Sequence, residues 1–98
     1  MRLRISKREI EYLKNTILGF DSDADIYLFG SRVDRHAKGG DIDILIFSKK
    51  IDRGIKRKIR VAFYREFGEQ KLDIVVERDR YSLSPFVKTI LPKAVKLG

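Results

Sequence analysis

The chain contains no cysteine and a single histidine. Without cysteine there is no disulfide scaffold, thiolate metal site or thiol nucleophile, and a reducing compartment is the natural setting. One histidine, His36, with no cysteine or second histidine beside it, makes no zinc site. No uninterrupted apolar stretch is longer than Ile44 to Phe47, far short of the roughly 18–20 residues that a membrane span requires. The opening MRLRISKREIEY lacks an apolar core of the secretory kind. No repeat, low-complexity tract or linker divides the chain. These absences lead to the expectation of one soluble, cytoplasmic domain spanning residues 1–98, with no membrane association. A chain of 98 residues should bury roughly 60–70% of its unfolded surface, enough to fold without staples.

What is abundant is positive charge: 22 Lys and Arg against 14 Asp and Glu, a net +8. Such an excess fits nucleic acid, a nucleotide phosphate or an acidic protein partner equally well. Between Lys49 and Arg65 every charged residue except Asp52 is basic.

Helix and strand patterns alternate along the chain. Ser6 and Glu9 have capping-box spacing, and Ile10, Leu13, Ile17 and Leu18 recur with helical period, predicting a helix over 7–18 that stops at Gly19. Asp25 to Phe29 reads as a strand that ends at Gly30-Ser31. A basic segment and the Gly39-Gly40 turn precede Asp41 to Phe47, the clearest strand. Asp52 can cap a helix that runs to Phe67 and closes at Gly68, with Ile55, Ile59, Ala62, Phe63 and Phe67 inward. Arg53, Lys56, Arg57 and Arg60 share its opposite face, the ordinary pattern of a solvated helix surface. Leu72 to Val76 alternates as a third strand. Ser84-Pro85 starts a last helix through Phe86, Val87, Ile90 and Leu91, which Pro92 ends or kinks. The aromatic residues Tyr12, Phe20, Tyr27, Phe29, Phe47, Phe63 and Phe67 mostly fall on inward positions and read as core. The order predicts an α/β (α+β) fold, a mixed β-sheet of three or more strands flanked by helices.

The chemistry concentrates in three places. Asp41 and Asp43 stand two apart in a strand, so their carboxylates share one face roughly 6.5–7 Å apart, while Ile42, Ile44 and Ile46 take the other. Like charges in a partly desolvated strand call for a cation between them, and hard ions such as Mg2+ take oxygen ligands. Asp73 joins the same face if the third strand lies beside the second in register. Three such carboxylates could support two-metal chemistry on a phosphate ester. Gly30 and Ser31 follow a strand directly, a placement in which backbone and hydroxyl can grip a phosphate. Arg32, Arg35 and Lys38 add positive charge nearby.

The segment LFGSRVDRHAKGGDID resembles the signature of the DNA polymerase beta-type nucleotidyltransferase superfamily: Gly-Ser, a spacer, then Asp-x-Asp, with a further carboxylate on a later strand. Here the spacer from Arg32 to Gly40 is nine residues. The small size resembles the minimal nucleotidyltransferases (MNT), often the antitoxin half of HEPN/MNT modules. The resemblance implies that Gly30, Ser31 and Arg32 bind a nucleoside triphosphate and that Asp41 and Asp43 hold both of two Mg2+ ions. It implies that Asp73 holds the catalytic ion while serving as, or supporting, the general base. It also implies a metal-dependent transfer of AMP from ATP to a hydroxyl, with tyrosine on a HEPN-domain toxin as acceptor and antitoxin as the biological role. Other readings are an antitoxin that neutralises by occlusion alone and a basic nucleic-acid-binding module. The second is the less favoured, since no helix-turn-helix, RNA-recognition or zinc signature is present. An aminoglycoside-modifying enzyme shares the signature but needs a longer chain for its drug pocket. Nucleotide preference and oligomeric state stay open.

Overall fold

A computed structural model describes residues 5–30, 42–68 and 71–97. Its elements follow in the order α1 (Lys7–Phe20), β1 (Asp25–Phe29), β2 (Ile42–Phe47), α2 (Arg53–Phe67), β3 (Leu72–Glu77), α3 (Pro85–Ile90) and β4 (Val95–Leu97). Each helix starts where a side chain can satisfy its first free amides. Ser6 Oγ accepts from Glu9 N while Glu9 Oε1 accepts from Ser6 N, both at 3.1 Å, completing the expected capping box. Asp52 Oδ1 accepts from Ile55 N at 2.9 Å, and Ser84 Oγ from Val87 N at 3.3 Å. Gly68 closes α2 with φ +79°, a conformation that a side chain would oppose.

The four strands form one sheet in the order β3-β2-β1-β4. β1 runs antiparallel to both β2 and β4, while β2 and β3 are parallel with α2 as the crossover between them. The mixed α+β sheet predicted from the sequence is therefore the fold of the chain. Ile44, Leu45, Ile46 and Phe47 are all buried, because β2 sits inside the sheet with helices over both of its faces, the usual reason for an uninterrupted apolar strand.

One face packs on α1 and α2. There Leu13, Ile17, Ile59 and Phe63 meet Ile26, Leu28, Ile42, Ile44, Ile46, Leu72, Ile74 and Leu97. The opposite face carries Phe29, Leu45 and Phe47, closed by Val87 of α3 with Leu83, Ile90 and Leu91 against it.

Several details differ from the sequence reading. α1 continues through Gly19 to Phe20, with Asp21 as its C-cap, so the glycine lies inside the last turn, and Phe20 is exposed. Phe86, in the last helix, is 53% exposed. Beyond Pro92, which lies in a single 3₁₀ turn, the tail adds strand β4 to the free edge of β1. Three residues are too short for a periodic signal, and pairing with β1 is what makes them a strand. Among the described residues no helix is long and apolar enough to cross a membrane.

Candidate active site

The sheet brings two of the predicted carboxylates together. In the register of β2 and β3, Asp43 lies directly beside Asp73. Across the other side of β2, Asp43 is opposite Phe29, the last residue of β1. Both carboxylates are half-buried and fall on the face of Phe29, Leu45 and Phe47, because each alternates with residues of the α1–α2 core. The parallel pairing of β2 and β3 is decisive. It sets the beginning of β3 against the beginning of β2, so residues thirty positions apart share one edge of the sheet.

Gly30 completes this corner. Its φ is +76°, and a Cβ built there would run into the Asp43 carboxylate, meeting Oδ2 first and Cγ at 3.3 Å. The glycine is therefore required twice, by its backbone conformation and by the closeness of Asp43. What the fold shows at Gly30 is clearance for an acid, the Asp43 carboxylate.

Asp41, Ser31 and Arg32 lie outside the described residues. Among the described residues no cluster of three metal-ligating side chains occurs. The donors that are described, Asp43 and Asp73 as adjacent carboxylates, fit a hard divalent cation such as Mg2+ in chemistry and in placement.

The basic stripe of α2 does not border this corner. α2 packs on the opposite face of the sheet through Ile59 and Phe63, so its exposed Arg53, Arg57, Lys58 and Arg65 lie on the far side from Asp43 and Asp73.

The other end of the sheet carries a cluster that the sequence did not signal. Arg80 donates to Asp25 Oδ2 at 2.9 Å and to Tyr27 Oη at 2.7 Å, and its guanidinium lies 4.4 Å from the centre of the Phe47 ring. The hydrogen bond from Arg80, aided by Lys96, holds the Asp25 carboxyl below its ordinary range despite some desolvation. Ser48 Oγ donates to the buried Asp21 at 2.5 Å, which likewise lowers the Asp21 carboxyl. Asp21, Asp25, Phe47, Ser48 and Arg80 line a cleft of about 400 Å³. It borders the start of β1 and the end of β2, away from Gly30, and Asp21 and Asp25 are already committed to neighbours within the fold.

A family model described as a nucleotidyltransferase domain matches residues 10–97. Comparison with curated proteins finds no match.

Proposed function

The chain belongs to the nucleotidyltransferase domain family, and on that premise we propose that it transfers AMP from ATP to a hydroxyl group in a metal-dependent reaction. The observation that carries this reading is the juxtaposition of Asp43 and Asp73 with Gly30 packed against the Asp43 carboxylate. An acid pair at one corner of a sheet, reached by a strand that ends in glycine, suits a triphosphate held with divalent cations.

Asp43 and Asp73, joined by Asp41, would hold Mg2+, which when bound neutralises charge on the phosphates and on the departing pyrophosphate. Gly30, with Ser31 and Arg32 after it, is suited to grip the triphosphate through backbone and side-chain donors. In the reaction the acceptor oxygen bonds to the α-phosphorus and the bond to the bridging oxygen of pyrophosphate breaks. The hydroxyl proton leaves toward a carboxylate, and Asp73 is the candidate to take it or to orient the group that does. The rest is positioning of acceptor against phosphate, for which rigid strands are well suited.

The acceptor we favour is a tyrosine of a HEPN-domain toxin, with the chain as its antitoxin. What supports this is the resemblance to minimal nucleotidyltransferases, together with a basic α2 surface that faces away from the phosphate corner and is left for an acidic protein. The test uses ATP labelled on the α-phosphate, incubated with the chain and its HEPN-domain partner. Label should pass to the partner with wild-type protein and fall by at least about 100-fold with Asp43→Asn or Asp73→Asn. Circular dichroism should show both variants folded. Transfer at the wild-type level by either variant overturns the mechanism.

A further inference from the structure

Phe86 is an aromatic residue that the fold leaves open at the active corner. It is 53% exposed, although the next residue, Val87, is fully buried and anchors α3 to the sheet. Its ring stands edge-on to Phe29, with centroids 6.0 Å apart and planes at 74°. Phe29 is the cross-strand neighbour of Asp43 on the same sheet face, and residues so paired have Cβ atoms about 4.5–5.5 Å apart. In order of adjacency, the Asp43–Asp73 pair neighbours the buried Phe29, and the open Phe86 ring stands against the Phe29 ring.

From this order we infer that Phe86 is the platform on which the nucleobase of the bound nucleotide stacks. The inference rests on the nucleotidyl-transfer reading above and deepens it by assigning the base subsite. A nucleotide with its phosphates at Gly30 and Asp43 must place its base to one side of that corner. On this side the chain offers an aromatic surface held at a fixed angle by Phe29. An exposed phenylalanine with no hydrogen-bonding atom recognises a π-face and little else, so the contact tolerates every base and favours the larger purines. Selectivity for ATP over GTP is not set by Phe86. Tyr81, the most exposed aromatic among the described residues at 97%, follows the far end of β3, so it serves as an internal control.

The chain has no tryptophan, so Phe86→Trp introduces a single indole whose emission a stacked base quenches. ATP should quench the F86W variant saturably, inorganic tripolyphosphate should not, and a Y81W variant should respond to neither. Phe86→Leu, which keeps apolar bulk without a π-face, should weaken ATP binding on the order of ten-fold, the size of one base–aromatic contact. Binding of tripolyphosphate by that variant should be unchanged. If equilibrium dialysis shows ATP bound to wild-type protein while F86W emission is unmoved, the base subsite is wrong and the transfer reading stands. Equal quenching of F86W and Y81W also overturns the subsite. If wild-type protein binds neither ATP nor tripolyphosphate with Mg2+ present, both readings fall together.

Discussion

At Gly30 two demands meet in one residue. The positive φ excludes most side chains, and the Asp43 carboxylate occupies the space a Cβ would need. Gly30→Ala must therefore either twist the end of β1 or push the Asp43 carboxylate aside. Transfer activity should fall about 100-fold, since displacement of a reacting group by about 1 Å has that cost. Thermal stability should drop by about 1–3 kcal/mol, the cost of a side chain held at a sparsely populated backbone conformation. Steady-state kinetics set beside a thermal melt would separate the two, and unchanged activity would show that the close approach has no role. A glycine after an apolar strand was visible in the sequence. Its contact with an acid thirteen positions later was not, because that contact depends on antiparallel pairing of β1 with β2.

At the scale of elements, side-chain hydrogen bonds tie two turns to each other. Asp21, the C-cap of α1, accepts from Ser48 Oγ and from Asp23 N. Ser48 Oγ in turn accepts from Lys50 N and Ile51 N, both at 3.1 Å. One serine thus joins the turn before β1 to the turn that leads into α2. Ser48→Ala would leave a buried carboxylate short of a donor, at a cost of about 1–3 kcal/mol. The sign of the pH effect follows from the lowered Asp21 value. The unfolded chain, with an ordinary carboxyl near about 3.9, takes up the proton first, so acid favours unfolding. The contribution is whole above that value and disappears as pH falls through the lower native one. Asp25, lowered mainly by Arg80, acts with the same sign. Urea midpoints measured from pH 7 down to pH 3 should fall less steeply in S48A than in the wild type; parallel curves would discount the Asp21–Ser48 link. The caps at Ser6, Asp52 and Ser84 were legible because capping is local and needs only a few consecutive residues. β4 was not, because a three-residue strand exists only through its neighbour.

For the whole molecule, the acid pair of the sheet and the basic stripe of α2 lie on opposite faces. The carboxylates lie on the α3 side of the sheet and the basic stripe of α2 on the other. The stripe, read from the sequence as a solvated helix face, therefore does not border Asp43 and Asp73. It remains available to an acidic partner. If that partner is the acceptor, coexpression with a HEPN-domain toxin should yield partner protein heavier by one or more AMP units, and D43N should abolish the added mass. Neutralised toxin of unmodified mass would instead indicate inhibition by occlusion. The amino-acid sequence by itself determined the helices, the first three strands, the acid residues and the glycine, because periodicity, capping and turn chemistry act over short distances. The tertiary structure alone decided that Asp43 stands beside Asp73, that Phe86 remains open next to Phe29, and that the basic helix faces away. Each of these follows from which strands pair, in which direction and in which register, and pairing between distant segments is settled by burial of the whole sheet rather than by any local run of residues.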